Sequence, residues 1–307
     1  MSVRVVDRHG HHPGMPADGA PPGGAPRHGT SAWRSLTTGA RLGWAIESNW
    51  TDPLLFAIYS VARPVGAALV LVAIVWLISG GGRPDYIGFL IVGSACWTFV
   101  GGGMSGFVWA ILDDRERYRM LKYVVVSSAP FFPFLVGRAS SQLVAATAGF
   151  FVTLAVGVVF LGVQIDVTAI DWRLLVPTMA VGLASIVALG LAVGGLCLTI
   201  RREAWSYPEA IAGGLYLLSG VIFPPDVLPA ALQPVALAMP TTWWLEGVRR
   251  ALLGVPTPEI LAGFSDTMVL FALCASTAVL TLASWAVFRT FERLARERGL
   301  IDQTTGS

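Results

Sequence analysis

The sequence predicts an all-α membrane protein: six transmembrane helices, an N-terminal amphipathic interface helix, and re-entrant outer helices between spans five and six. Composition is the first observation behind this reading. Hydrophobic residues make up 54% of the 307 and charged residues only 13%, against about 25% charged in a soluble domain. The second is arrangement: long apolar runs bounded by charge, near the roughly 20 residues a bilayer-crossing helix needs. The third is an uneven division of arginine between the loops, the mark of a fixed orientation in a membrane.

Residues 1–29 are polar, rich in Gly and Pro, and hold His9, His11, His12 and His28. Such a segment buries too little apolar surface to offset its ordering entropy, so it reads as a disordered tail. It also lacks the apolar stretch of a cleavable signal. Residues 30–52 read as the interface helix. Trp33, Leu36, Ala40 and Trp44 recur at three- and four-residue steps along one face, with Arg34 and Arg41 beside them. That pattern suits a helix lying at headgroup level. Pro53 breaks the chain before a membrane domain at 53–290, and 291–307 form a cytoplasmic tail.

Within the domain, spans are expected at 61–79, 86–112, 134–162, 174–200, 204–223 and 267–288. Between the last two, residues 227–254 are largely apolar yet cut by Pro229, Pro234 and Pro240. Each uninterrupted piece is too short to cross, so short helices dipping into the outer leaflet are expected. Trp243 and Trp244 are expected to anchor them among the headgroups.

With a cytoplasmic N-terminus, sixteen of the 21 Lys and Arg face inward and four outward, with Arg63 in or beside the first span. Both termini are therefore expected inside, in a multi-pass protein of the plasma (inner) membrane. A net charge of +2 supplies no basic field for nucleic acid. Cys96, Cys197 and Cys274 each sit within an apolar run and read as buried thiols, with no paired metal spacing. An intramembrane enzyme would need catalytic groups converging at one depth, yet all four histidines lie in the tail. The single lysine, Lys122, follows Leu121, so the Gly-Lys-Ser/Thr of a P-loop is absent. ATP-driven work would need a motor on another chain.

Between spans two and three, residues 113–123 mix Asp113, Asp114, Arg115, Glu116, Arg117, Arg119 and Lys122 with Tyr118, Met120, Leu121 and Tyr123. From the residues alone this is either a docking knob for a partner or a solvated loop that enforces topology. Further along come Ser219-Gly220-Val221-Ile222-Phe223-Pro224, then Leu228-Pro229. Pro240-Thr241-Thr242-Trp243-Trp244-Leu245-Glu246-Gly247-Val248-Arg249-Arg250 and Leu253-Gly254 follow. This series resembles the C-terminal signature of the type-2 ABC exporter permeases, and the resemblance covers about residues 30–295.

The resemblance implies a transport subunit that is not itself an enzyme, with no cofactor of its own. ATP and magnesium would sit on a separate nucleotide-binding ATPase subunit, and a second permease copy, identical or related, would complete the path through the lipid bilayer. It also implies ATPase contacts from the interface helix and the charged loop, at Arg34, Arg41, Asp114, Glu116, Arg117, Tyr118, Met120 and Leu121. Signature positions are Gly220, Phe223, Pro224, Pro240, Thr242, Glu246 and Arg249. The family's Gly-Thr pair in the loop is missing, and Tyr118 and Arg119 stand near its place.

Arg63 either lines a cleft for an anionic headgroup or snorkels to the interface. Glu209 lies within span five if that helix begins at Ala204, with Arg201 or Arg202 as its partner, or else the helix starts later. Glu246 and Arg249, three apart, would share a helical face and pair. The function expected is export of an amphipathic, drug- or lipid-like substrate. The alternatives are export of a polysaccharide or lipid-linked glycan by the same machinery, or ion-coupled secondary transport.

Overall fold

The computed structural model describes residues 31–48, 62, 65–70, 72–74, 76–77, 84–127, 130–200, 206–254 and 259–300. Among them regular structure is helical throughout. In chain order these are α1 (Ala32–Ser48), α2 (Pro84–Leu112), a π-helical turn (Asp113–Arg117), α3 (Leu121–Val126), α4 (Phe131–Leu161) and α5 (Trp172–Cys197). There follow α6 (Ser206–Leu218), a 3-10 turn (Pro225–Val227), α7 (Gln233–Ala238), α8 (Pro240–Leu253), α9 (Glu259–Ala262) and α10 (Asp266–Glu297).

Four of these helices are long and apolar enough to cross a bilayer: α2 with its π turn, α4, α5 and α10. They match the expected second, third, fourth and sixth spans to within a few residues, except that α10 continues nine residues past Phe288 to Glu297. Of the first expected span, residues 62, 65–70, 72–74 and 76–77 are described and helical, while Arg63 lies outside the described residues, as do the tail at 1–29 and Arg201 and Arg202. The fifth is shorter than expected. α6 has 13 residues, about 20 Å of helix, and it ends at Leu218, just before Gly220 turns the chain at φ +76°.

α2 is the centre of the bundle, packed on α4, α5, α6 and α8, while α10 lies against α5 and α8. Its packing depends on small residues. Ile186 of α5 fills the space over Gly103, Phe107 lies over Gly190 of α5, and Ile91 lies over Gly157 of α4. Without a hydrophobic drive between helices in lipid, such close backbone approach is what holds spans together. The outer faces are apolar: Phe151, Val159 and Phe160 of α4, and Phe271, Val279 and Leu282 of α10, are all exposed. An apolar surface of that extent has hydrocarbon, not water, as its natural solvent.

α1 packs on the start of α4, but through a face other than its tryptophan stripe. Ser35, Gly39 and Gly43 are buried, and Trp33 and Trp44 point outward. A Cβ at Gly39 would collide with the Phe134 carbonyl, and one at Gly137 with the Leu36 carbonyl. The two backbones therefore touch, leaving the aromatic and basic side chains free on the outer side.

The expectation that Trp243 and Trp244 anchor at the headgroups is overturned. Trp244 is fully buried, its indole filling the space over Gly182 of α5, and Trp243 is nearly so. Trp243 satisfies its Nε1–H by donating to the Leu237 carbonyl at 2.7 Å. A large aromatic with a glycine opposite gains more from packing than from the interface. The cysteine reading is corrected too: Cys96 and Cys197 are buried, but Cys274 is exposed on α10.

Candidate functional site

Two polar clusters stand at opposite ends of the bundle. The first gathers where α2 ends, α4 begins and α5 ends. Regular helix gives way after Leu112 to the π turn, in which the Tyr118 N–H donates to the Asp113 carbonyl at 2.8 Å. The Met120 N–H reaches the Asp114 carbonyl at 2.8 Å. Widened turns of this kind interrupt helices mainly at functional positions. Arg115 is buried and donates to the carbonyls of Cys197 at 3.2 Å and Ile200 at 3.3 Å, while also pairing with Glu116 at 2.8 Å. It thereby satisfies carbonyls left open at the C-terminal end of α5.

On the other side, Arg138 of α4, 5% exposed, lies 3.5 Å from Asp114 and 4.0 Å from Asp113. One turn further, Gln142 donates to Glu47 of α1 at 2.7 Å. Burial raises the Glu47 carboxyl above its ordinary range, with Arg138 opposing that shift and Asp113 adding to it.

The loop's outward surface is formed by Arg117, whose guanidinium lies 5.6 Å from the Tyr118 ring centre, together with Arg119, Tyr123 and Val126. Arg119 holds φ +51°, alone among the described non-glycine residues. That conformation is cheap only for glycine, and it occurs beside the position where a Gly-Thr pair was expected.

The second cluster is built on α8. Pro240 starts that helix without sacrificing a needed N–H, and Thr242 donates to the Ala236 carbonyl at 2.6 Å. Arg249, 2% exposed, lies with its guanidinium 3.4 Å above the Phe89 ring and donates to the carbonyls of Gly220 and Val221 at 2.8 and 3.2 Å. Those carbonyls lie just past α6, so Arg249 caps the break in the chain. Glu246 pairs with Arg250 at 2.6 Å, and Arg250 also reaches Asp266 at 3.0 Å and the carbonyls of Phe264 and Leu261 at 2.7 Å each. The expected Glu246–Arg249 pair is therefore corrected. Four residues of helix bring Glu246 to Arg250, while Arg249 turns towards Phe89.

The family model described as ABC-2 type transporter matches residues 42–253, well over half the chain. This chain belongs to the ABC-2 type transporter family. Among curated proteins it is similar to Nodulation protein J of Neorhizobium galegae, 23% identical over 264 residues, covering 84% of this chain and 88% of that protein. ABC-2 permeases are membrane transport subunits, not the ATPase, and normally work with a partner ATPase subunit.

In this ABC-2 permease the sequence-predicted contact residues divide sharply. Arg34, Arg41, Arg117 and Tyr118 are exposed, and Glu116 and Met120 are half-buried. Asp114 and Leu121, each 1% exposed, lie inside the protein, Leu121 packed with Phe107, Phe131 and Leu135. Within this chain they pack and pair inside the loop. Of the signature residues Gly220, Pro240, Thr242, Glu246 and Arg249 are buried together around α8, Pro224 immediately precedes the 3-10 turn, and Phe223 is exposed. Glu209 is exposed in the first turn of α6, where the helix dipole favours a carboxylate. The residue that sequence reading missed is Arg138. It counts only among the sixteen inward-facing cations, and the hint of its burial is that it falls inside the expected span at 134–162.

Proposed function

We propose that this ABC-2 permease exports an amphipathic, drug- or lipid-like substrate, powered by a separate subunit that holds ATP and magnesium. Two permease copies enclose the path. Each contributes six spans, α6 completing the fifth, and α7 and α8 re-enter the outer leaflet. Both termini face the cytoplasm across the inner membrane. The interface helix is taken as residues 30–52, the membrane domain as 53–290 and the C-terminal tail as 291–307. Arg63 and Glu209 are the candidate charges along the path.

One observation carries this reading: α1 and the charged loop after α2 meet at the same end of the bundle, around Arg138. Outward from there point Arg117, Tyr118, Arg119, Tyr123 and Val126, a mixed basic and aromatic face. An exposed cluster of that composition suits a protein partner, since aromatics and arginine dominate binding energy at interfaces.

A photo-crosslinking residue placed at Tyr123 should capture a P-loop ATPase in membranes of cells expressing the chain. One placed at Phe271, on the apolar face of α10, should not. Uptake into vesicles holding this chain alone, driven by an ion gradient without ATP, contradicts the proposal.

A further inference from the structure

We propose that Arg138 is a positioning residue for ATP coupling, joining the loop after α2 to α1 and α4 so that a pull on the loop moves both. The proposal rests on the exporter reading above. Arg138 touches both sides of the joint. Its backbone lies under α1, because a Cβ at Gly43 would meet the Arg138 carbonyl oxygen at 2.5 Å and one at Gly39 its nitrogen at 3.0 Å. Its side chain reaches across to Asp114 and Asp113 in the π turn. One turn away, Gln142 and Glu47 reinforce the contact between α1 and α4.

The joint is unequal. On the α5 side, Arg115 fixes the π turn with hydrogen bonds to two carbonyls. On the α4 side the link is a longer, looser ion pair. Among the described residues the nearest donor to the Asp114 carboxylate is the Arg138 Nε–H, at a long 3.5 Å. A buried carboxylate left in that state calls for an explanation, and a guanidinium and carboxylate can close into a shorter, two-bonded fork. The 3.5 Å separation leaves room for that closure. Slack for the change lies in the π turn and at Arg119, which already holds φ +51°. Closing the fork would draw the loop towards α4, and α1 would follow because its glycine backbone cannot slide over Arg138.

The experiment uses the permease co-purified with its ATPase in lipid nanodiscs, with Cys96, Cys197 and Cys274 replaced by alanine. A single cysteine at exposed Thr38 of α1 carries an environment-sensitive fluorophore, and emission is read on adding ATP with vanadate. Arg138→Met should still co-purify with the ATPase, while the α1 response per ATP hydrolysed falls about tenfold, the size of a typical coupling factor. Arg138→Lys should restore most of the response. A full response in Arg138→Met overturns the proposal.

If Arg138→Met does not assemble, Arg138→Gln is read in the same way. Hydrogen exchange at the Tyr118 and Met120 amides, in the chain alone, separates the two levels of the account. Exchange unchanged by Arg138→Met overturns the joint. Exchange raised about tenfold upholds it as an opening of the turn. A parent complex with no ATP response at α1, or none that co-purifies, overturns the exporter reading instead.

Discussion

The contact between Trp244 of α8 and Gly182 of α5 offers a quantitative test of how the short helices are held. The indole is fully buried, and a Cβ at Gly182 would overlap it. Trp244→Ala therefore empties a closed site, at a cost of about 3–5 kcal/mol. Gly182→Leu forces α5 and α8 apart, at a cost of about 1–3 kcal/mol. In the double variant the leucine enters the space the indole has left, so the combined loss should fall about 2 kcal/mol short of the sum. Unfolding by SDS titration in mixed micelles, followed by far-UV circular dichroism, measures all four proteins. Losses that add to within about 0.5 kcal/mol would mean that the two residues do not share a site, and the placement of α8 would be wrong.

Three further outcomes follow from the two clusters. Arg249→Met leaves the Gly220 and Val221 carbonyls without their donor and should lower stability by about 3 kcal/mol in the same titration, whereas Arg249→Lys should recover part of the loss. Arg119→Gly relieves the left-handed conformation and should leave stability unchanged or raise it by up to about 1 kcal/mol, while Arg119→Ala should give no gain. Glu47 has its carboxyl raised from 4.5 by burial, so the folded protein holds that proton more tightly than the unfolded chain. Its contribution to stability is present below pH 4.5 and is lost as pH rises through the higher folded value. Glu47→Gln keeps an acceptor for Gln142, so it should be more stable than the parent at neutral pH and equal to it in acid, read by thermal unfolding at a series of pH values.

The spans that the chain declares most openly are those set by local composition. Apolar runs ended by charge located α2, α4 and α5 within a few residues, and the start of α10 likewise, because hydrocarbon imposes the same requirement along the whole run. Prolines 229, 234 and 240 broke the following segment into short helices as expected, since each removes a backbone donor.

What stayed hidden depends on residues distant in the chain. Trp244 is indistinguishable from an interfacial tryptophan until Gly182, on another helix, is placed opposite it. Both Arg249 and Arg250 lie within reach of Glu246, and the choice between them is made by Phe89 and the Gly220 carbonyl. Arg138 reads as one more cytoplasmic cation until α2 delivers Asp113 and Asp114 to it. The packing face of α1 was likewise masked, because its tryptophans dominate the periodicity while three small residues make the contact.

The central claim is that this polypeptide forms the membrane path and another chain supplies the energy. ATP hydrolysis by proteoliposomes holding this chain alone, compared with those holding it together with the ATPase captured at Tyr123, tests that directly. The account predicts no hydrolysis by the chain alone, and hydrolysis by the complex that falls when Arg117 and Tyr123 are replaced by alanine. ATP turnover by the purified chain alone, or complex activity indifferent to the loop, would contradict it.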